Sequence, residues 1–351
     1  MQVFKNKYWQ LLMAPFSILY KWIMQFRNHL YDIEYKAVFN FEPNVIGVGN
    51  LSMGGTGKTP FVEYLIRYFI STGKSNKVAT LSRGYGRKTK GFRLATDEDS
   101  ASSLGDEPFQ IYEKFKKDIR VSVGEDRVLA IPSIILENSE VETIIMDDGF
   151  QHRSVKPKFS ILLSDYNNPF YDDFVLPSGT LRESRRGVRR ADAIIITKCP
   201  DNLTDDKKTE IKNRILSYTD KKVFFTKVDY QEVKHTFDKR KVDEKIILVT
   251  GIAHSGKFKS HLIESGYKIM THFDFPDHHN FSKNDIQKIY ESAKNQNADI
   301  LTTEKDWVRL ISHKGITNEI KSMLFYLPIV VQFLEDEKSF QQLLEDSIRR
   351  T

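Results

Sequence analysis

The stretch Ser52-Met53-Gly54-Gly55-Thr56-Gly57-Lys58-Thr59 decides the fold of this chain. The apolar run 45–48 precedes it, and a helical pattern over 61–70 follows it. A glycine-rich loop that ends in Lys-Thr between a strand and a helix is the phosphate-binding P-loop pattern. Its glycines let backbone N–H groups turn toward an anion, and the helix N-terminus adds partial positive charge. We therefore predict that these eight residues bind the phosphates of a nucleotide.

Two residues of this loop have defined roles in the pattern. Lys58 reaches the β- and γ-phosphates, and the Thr59 hydroxyl ligates Mg²⁺. Ser52 departs from the general pattern, which has glycine at that position. The alternative interpretation is a flexible loop with a solvated lysine, but Gly-x-Gly-Lys-Thr between a strand and a helix is rare by chance.

Length and composition limit the classes of protein to which the chain can belong. Its 351 residues, 40% of them hydrophobic, are enough for two domains with real cores. The net charge of +6 favours anionic partners without being typical of a dedicated nucleic-acid binder, so we expect no nucleic acid as a partner. The single cysteine, Cys199, excludes an internal disulfide and a cysteine-cluster metal site, and a reducing cytosol is the simplest compartment.

The first 31 residues are basic and rich in large apolar side chains, and they contain no acidic residue. Ser17, Lys21, Gln25 and Asn28 recur at helical spacing and form one polar stripe. The apolar runs are shorter than the roughly 20 residues that a spanning helix needs. We therefore predict that 1–31 is a helix on an anionic membrane surface. The alternative is a helix packed on the protein's own core.

Polar residues follow two later strands, at the end where open α/β sheets bind ligands. Asp147 ends the β-branched run 141–147 and Asp148 follows it directly. P-loop proteins place a carboxylate beside Mg²⁺ in this way. The strand 77–81 leads into a glycine-containing loop with Arg83 and Arg87. From spacing alone, an anion-binding loop and an ordinary basic turn are equal alternatives for it.

Three further features are ambiguous when each is taken alone. Asp106 and Glu107 open a helix, where acids often only complement the helix dipole. His152 is as readily a satisfied polar residue as a site residue. Five arginines within 182–190 exceed what an ordinary turn requires, which favours phosphate recognition or membrane contact.

Strands and helices alternate along the chain, which predicts parallel sheets. We place a P-loop domain over 32–220 and a hinge with a smaller α/β domain over 221–351, because charge-rich segments flank the apolar run near 223–228. The predicted fold class is therefore α/β, with a P-loop NTPase-like parallel-sheet domain, a second, smaller α/β domain and an N-terminal membrane-interface helix.

Seven blocks, in order along roughly residues 1–330, resemble the tetraacyldisaccharide 4′-kinase, or lipid A 4′-kinase, family. Asp-Asp-Gly-Phe-Gln-His beside this P-loop is highly specific, and the family accepts Ser or Thr where Ser52 stands. The segment 251–258 matches the family's pattern less closely. The blocks that match are 49–60, 82–87, 105–108, 147–152, 181–183, 276–278 and 303–306.

The resemblance implies a phosphotransferase with an alcohol group as acceptor. It would transfer the γ-phosphate of ATP to the 4′-hydroxyl of a tetraacyl glucosamine disaccharide 1-phosphate, a step in lipid A biosynthesis. ATP and Mg²⁺ are the implied cofactors, and a glycolipid and the membrane surface are the implied partners. The implied location is the cytoplasmic face of an inner membrane, peripheral or monotopic, and we expect a monomer.

Residue roles also follow from the resemblance. Asp106 matches the family's proposed base for the acceptor hydroxyl, with His278 as its partner across an interdomain cleft. Such a pair suits the task because each group tunes the other's protonation near neutral pH. The residues implied for phosphate transfer and Mg²⁺ are Lys58, Thr59, Glu107 and one of Asp147 or Asp148. The residues implied for substrate binding are Arg83, Arg87, Gln151, His152 and Arg182.

Two other classes of P-loop protein are the rival interpretations. Many partitioning or maturation ATPases carry a second lysine just before the Gly-Gly pair, where this chain has Met53. A GTP-driven binding module needs a guanine-reading motif. Lys198 and Asp201 resemble that motif, but their spacing is one residue too long.

Overall fold

The structure is a computed structural model that describes residues 6–277 and 279–349. Its helices and strands alternate, and they form a nine-stranded and a five-stranded sheet, which confirms the α/β class. In chain order the elements are α1 Lys7–Asp32, β1 Asn44–Asn50, α2 Lys58–Ser71, β2 Val78–Ser82, β3 Arg93–Leu94, α3 Ala101–Leu104, α4 Asp106–Phe115, β4 Arg120–Val123, α5 Arg127–Glu137, β5 Thr143–Asp147, β6 Phe159–Asp165, β7 Ala193–Thr197, α6 Asp205–Leu216, β8 Lys222–Tyr230, β9 Lys234–His235, β10 Lys245–Thr250, α7 Gly256–Glu264, β11 Lys268–Asp274, α8 Lys283–Gln296, β12 Asp299–Thr303, α9 Glu304–Ile311, α10 Asn318–Ser322, β13 Leu324–Leu327, β14 Ile329–Phe333 and α11 Glu337–Arg349.

The large sheet has the strand order β14-β8-β7-β6-β1-β5-β2-β4-β3. Its interior strands are parallel, and only the edge strands β3 and β14 run antiparallel to their neighbours. Strand β1 lies between β5 and β6, and all but its first residue are buried. A strand buried on both faces must be apolar almost throughout, which is why this run carries so few polar side chains.

The small sheet has the strand order β11-β10-β12-β13-β9. Strands β10 to β13 pair in parallel, and β9 adds an antiparallel edge. Helix α8 begins at Lys283, and the hydroxyl of the preceding Ser282 accepts a hydrogen bond from the Asp285 N–H. Ser282 caps this helix, as its position in the sequence suggested.

The two sheets divide the chain differently from the boundary at 220/221 that the sequence suggested. Strand β8 pairs with β7 in the large sheet, and the chain returns there at Ile329 as β14 and then α11. The charge-rich segments around β8 resemble a linker, but Phe224 and Phe225 on that strand are buried. The small sheet is therefore an insertion into the large-sheet domain, connected through the neighbouring strands β8 and β14.

Helix α1 attaches to the large-sheet domain through polar side chains. Ser17 is buried and donates to the Ser178 hydroxyl at 2.7 Å, and Asn28 donates to Glu183 at 2.9 Å. Half of the predicted polar stripe thus faces the protein, whereas Lys21 and Gln25 are exposed. The large apolar residues of α1 that remain exposed are Tyr8, Leu11, Leu12, Phe16, Ile18, Leu19, Trp22, Ile23 and Phe26.

This orientation reverses the usual arrangement of a surface helix, whose apolar side faces the core. The alternative of a helix packed on the protein's own core describes the polar contacts of α1, but not its large apolar side chains, which are exposed. Among the helices of residues 6–277 and 279–349, none is both long enough and apolar enough to cross a bilayer.

We predict that Phe340→Ala lowers the free energy of unfolding by about 3–5 kcal/mol, the range for a fully buried phenylalanine. Phe340 on α11 is inaccessible to solvent, and its ring lies 5.2–6.3 Å from those of Phe61, Phe159, Phe224 and Phe333. Urea unfolding would measure the loss.

The matched control is Phe237→Ala, which removes the same atoms from a ring that is 63% exposed. It should cost less than about 1 kcal/mol, as most surface substitutions do. Equal losses of unfolding free energy for the two variants would contradict the packing of α11 against the core of the large-sheet domain.

Candidate active site

The P-loop connects the end of β1 to the start of α2. Gly54 and Gly57 have φ values of 112° and 82°, in the left-handed region that favours glycine, and Gly57 caps the helix. The N–H groups of the first helical turn have no partner within a helix, so they are available to an anion. The predicted context of strand, loop and helix is confirmed, and the binding of phosphates by residues 52–59 stays a prediction.

Two neighbouring segments hold the P-loop in place. The Met53 N–H donates to the Thr180 carbonyl at 2.7 Å, on the segment before the arginine cluster. From the end of β7, the Thr197 hydroxyl donates to the Thr56 carbonyl at 2.9 Å, and the Lys198 ammonium donates to the Gly55 carbonyl. Carbonyl groups of the loop are thereby turned toward the protein.

Lys58 points toward the carboxylates at the end of β5. Its Nζ lies 3.4 Å from Asp148 Oδ1 and 3.4 Å from Asn50 Oδ1. Asn50 in turn donates to the Ser52 carbonyl at 2.7 Å, which ties the lysine's partner to the loop. Thr59 follows directly on α2 and is partly exposed at the same mouth.

The loop 147–152 packs directly against the end of β1. Val48 pairs with Asp147 in the sheet, and the Gly149 N–H donates to the Val48 carbonyl at 3.0 Å. A Cβ on Gly49 would lie 2.4 Å from Phe150 Cβ, so only glycine permits this approach. The two aspartates are therefore fixed beside the P-loop by backbone contacts.

Asp147 and Asp148 have different environments. Burial raises the pKa of the Asp147 carboxyl to about 6, against the opposing charge of Lys58. Burial also raises the pKa of Asp148, but the charges of Lys58 and Arg182 outweigh that effect and leave the pKa below its ordinary value. Arg182 donates to Asp148 Oδ2 at 3.0 Å.

The arrangement fits a magnesium ion that is bound partly by nucleotide. Asp147 Oδ1 is buried and has no hydrogen-bond partner among the described residues, which leaves an oxygen that can bind a cation. Within residues 6–277 and 279–349, no three His, Cys, Asp or Glu side chains are close enough to hold a metal by themselves. Mg²⁺ usually takes one or two carboxylates together with phosphates and water, so a complete protein cage is unnecessary.

Gln151 and His152 line the side of the site nearest α1. The Gln151 amide donates to the Asn50 carbonyl at 2.6 Å, and its Oε1 accepts from Arg182 at 3.2 Å. Burial, then the charge of Arg127, lowers the pKa of His152 to about 4, so its imidazole is neutral at pH 7. A neutral imidazole can both donate and accept a hydrogen bond.

The arginines expected to bind substrate are not equivalent. Arg83 is exposed, whereas the Arg87 side chain is only 2% exposed and donates at 2.6 Å to both Glu125 and the Gly91 carbonyl. These contacts give Arg87 a structural role, because they hold the loop that contains it. A role in substrate binding stays a prediction for both residues.

Arg127, which sequence reasoning missed, is 1% exposed at the start of α5. Its Nε and one terminal nitrogen have no hydrogen-bond partner among the described residues. Burial lowers its pKa to about 10, against the charges of Asp147 and Asp148, so it remains a cation at pH 7. The sequence offers one sign of this role. Arg127 is a basic residue in the first turn of a helix, where the helix dipole disfavours a positive charge.

Asp106 and Glu107 begin α4 and face the small-sheet domain. Asp106 accepts a hydrogen bond from Arg309 of α9 at 2.7 Å, and Glu107 lies 3.6 Å from the Lys305 ammonium. Glu107 is also close enough to raise the pKa of Asp147, which places it near the candidate metal site. The prediction for His278 lies outside the described residues.

Comparison with known proteins decides the family. A family model described as tetraacyldisaccharide-1-P 4′-kinase matches residues 9–349. The chain belongs to this family. It is 42% identical over 337 residues to the tetraacyldisaccharide 4′-kinase of Flavobacterium johnsoniae, covering 94% of each chain. It is 44% identical over 338 residues to that of Flavobacterium psychrophilum, covering 93% of this chain and 94% of the relative.

A solved structure of the tetraacyldisaccharide 4′-kinase family supports the same assignment. The Aquifex aeolicus protein LpxK, described as an "apo" form in complex with ATP, superposes with a TM-score of 0.75 at 29% identity. The match covers 97% of this chain and 99% of that one. Membership in a kinase family excludes both rival classes, and Asp201, the acid of the weak guanine motif, is instead paired with Lys227 at 2.6 Å.

We predict that Asp147→Asn removes a pH-dependent loss of stability in metal-free protein. The folded state keeps the Asp147 proton up to about pH 6, while the unfolded state releases it near pH 4. The free energy of unfolding of the wild type therefore falls between these values as pH rises, by about 2–3 kcal/mol from this group. Urea unfolding in EDTA from pH 4.5 to 7.5 would measure the slope.

Asp148→Asn is the matched control, because the pKa of Asp148 is shifted the other way. Its ionised form contributes stability above the unfolded pKa that is lost as pH falls through the folded pKa, so this variant loses stability at neutral pH. The assignment of the buried carboxyl to Asp147 is wrong if Asp147→Asn keeps the wild-type slope.

Proposed function

We propose that this kinase transfers the γ-phosphate of ATP to the 4′-hydroxyl of a tetraacyl glucosamine disaccharide 1-phosphate, a step in lipid A biosynthesis. The observation that carries the proposal is the group formed by Lys58, Asp148 and Arg182 at the mouth of the P-loop. It joins the phosphate-binding lysine, a carboxylate and an arginine in one cluster. Phosphoryl transfer depends mainly on such positioning and on charge neutralisation.

Each part of the site has a task in this reaction. The P-loop amides and Lys58 hold the β- and γ-phosphates. Mg²⁺ is the proposed cofactor, with Thr59, Glu107, Asp147 and Asp148 as the residues that would hold it. When bound, it neutralises the charge of the phosphate oxygens. Asp147 Oδ1, buried and unpartnered among the described residues, is the oxygen best placed for this contact.

Asp106 is the proposed general base, with His278 as its proposed partner. A base must lie within hydrogen-bond reach of the proton that it accepts. Asp106 lies at the N-terminus of α4, where that helix meets the small-sheet domain. An acceptor hydroxyl bound between the two domains would meet this carboxylate on one side and the γ-phosphate on the other.

The existing phosphate of the acceptor needs cationic partners. Arg83 and Arg182 are the proposed partners: the charge of Arg83 acts on His152, and Arg182 donates to Asp148 and Gln151 beside it. Arginine suits this task since its planar fork can bind two phosphate oxygens at once. Arg87 contributes by holding the loop of Arg83 through Glu125.

The direct test is purified protein with ATP, Mg²⁺ and the tetraacyl disaccharide 1-phosphate, followed by mass spectrometry. We predict one added phosphate, and a loss of more than about 10³-fold in rate for Lys58→Ala, since positioning and charge are the main catalytic terms. Lys227→Ala, at a surface ion pair, serves as the control with a normal rate. ATP hydrolysis without added phosphate on the lipid, or wild-type turnover of Lys58→Ala, would contradict the proposal.

We propose further that α1 holds the enzyme on the cytoplasmic face of the inner membrane. Its outward side exposes nine large apolar side chains, and exposed apolar patches are typical of interaction sites. A groove of about 640 Å³ lies between α1 and the segment 173–186, with an apolar wall. The cationic residues on that groove are Lys7, Lys21, Arg185 and Arg186.

Both features suit an anionic glycolipid. Leu181 lines the groove, and the next residue, Arg182, contacts Asp148 in the active site. Acyl chains along α1 would therefore place the sugar beside the P-loop. Basic residues near an anionic surface each contribute on the order of 1 kcal/mol to membrane binding.

We predict that Trp22→Glu lowers partition onto vesicles of phosphatidylethanolamine and phosphatidylglycerol by tenfold or more. Burial of a large apolar side chain contributes about 1.5–3 kcal/mol, and a new negative charge opposes binding to the anionic surface. Leu136→Glu on α5, at a side chain 85% exposed, is the control and should bind normally. Vesicle flotation would measure both, and equal binding of Trp22→Glu and wild type would reject the role of α1.

A further inference from the structure

Arg309 connects the two domains at the proposed base. It lies on α9 of the small-sheet domain, and its Nε donates to Asp106 Oδ2 at 2.7 Å. The Arg309 side chain is 7% exposed, so the contact is shielded from solvent. Charge-assisted hydrogen bonds of this length are the stronger kind.

The guanidinium is itself held firmly within the small-sheet domain. Its NH1 donates to Asp306 Oδ1 at 3.0 Å and to the Gly251 carbonyl at 3.3 Å. Asp306 is fully buried and accepts from the Gly251 N–H at 2.8 Å and the Thr303 hydroxyl at 2.7 Å. A Cβ on Gly251 would lie 2.9 Å from Asp306 Oδ1, so glycine is needed for this close packing.

We propose that Arg309 is a positioning residue that sets the direction of the Asp106 carboxylate toward the acceptor hydroxyl. The inference rests on the proposed function, in which Asp106 is the base. By holding one carboxylate oxygen from a fixed point, Arg309 determines where the other oxygen points. Because that fixed point belongs to the small-sheet domain, the direction of the base depends on where this domain lies relative to the P-loop domain.

Docking of the two helices does not by itself explain the contact. Lys114, two turns along α4 from Asp106, donates to Glu304 of α9 and to Glu63 of α2. The distances are 2.6 Å and 2.5 Å, and both carboxylates are buried. This second ionic contact already joins α4 and α9, and it lies away from Asp106. The Arg309 contact differs from the Lys114 contact because the partner of Arg309 is Asp106, the proposed base.

Precise direction matters more for a base than for a docking contact. Proton transfer requires the carboxylate within hydrogen-bond reach of the hydroxyl. A misplacement of about 1 Å can lower a rate by about 10²-fold. Arg309 restricts the Asp106 side chain by holding one of its carboxylate oxygens from the small-sheet domain.

The test compares Arg309→Ala, Arg309→Lys and the control Lys114→Gln in the full-length protein. We expect Arg309→Ala to lower kcat by about 10²-fold while the dissociation constant for ATP changes less than about twofold. Arg309→Lys keeps a donor and should recover part of the rate, as should low concentrations of guanidinium added to Arg309→Ala. Lys114→Gln should lower thermal stability with a smaller effect on kcat.

The Asp106→Ala background separates this inference from the proposed function. If Arg309 acts through Asp106, its removal should cost little more in that background, since groups that act as a unit are non-additive. Multiplicative losses, or weaker ATP binding with an unchanged kcat, would overturn the positioning role. A slow Asp106→Ala with a normal Arg309→Ala rejects this inference alone, whereas a normal Asp106→Ala rejects the base itself.

Circular dichroism and thermal unfolding of each variant show whether the fold is kept. If Arg309→Ala fails to fold, Arg309→Lys decides the question by its kcat and its ATP affinity. A normal kcat for Arg309→Lys with full ATP affinity overturns the inference, because Arg309→Lys is expected to recover the rate only in part. A kcat as low as that of Asp106→Ala, with full ATP affinity, supports the need for the guanidinium geometry, and weakened ATP affinity with a normal kcat overturns the inference.

Discussion

The structure depends on the close approach of the ends of β1 and β5. The pairing of Val48 with Asp147 and the absence of a side chain on Gly49 bring the P-loop and the aspartate loop together. Two cationic groups of the site meet at this junction. Lys58 reaches across it, and Arg182 approaches from the segment that also holds the P-loop backbone. A larger residue at Gly49 would move the phosphate-binding loop away from its carboxylates.

Some charged groups at this junction lack partners within the protein, as expected of a site that binds a nucleotide. Asp148 has two cationic partners, whereas Asp147 is buried with one oxygen unpartnered among the described residues. Among the described residues, Nε and one terminal nitrogen of Arg127 also have no hydrogen-bond partner. Buried polar groups without partners are costly, so they persist where a ligand completes them. A cation and an anion bound side by side would satisfy both residues at once.

The sequence predicted those parts of the site that lie within short motifs. The P-loop and the paired aspartates could be found because residue type and spacing alone define their chemistry. Arg127 and Arg309 could not, because their contacts join segments that are distant in the chain. The single domain boundary expected at 220/221 does not match the sheets for the same reason. Strand β14 pairs with β8 of the large sheet after about a hundred intervening residues. Charge-rich flanks cannot reveal a partner strand so far away.

The return of the chain to the large sheet also affects how the protein is made. A domain usually folds as a unit during synthesis, beginning with the residues that emerge first. Here the core that surrounds α2 includes Phe333 and Phe340, which leave the ribosome after every strand of the small sheet. The small sheet, continuous from β9 to β13, is complete before them. The inserted domain can therefore finish folding while the P-loop domain still waits for its final strand and helix.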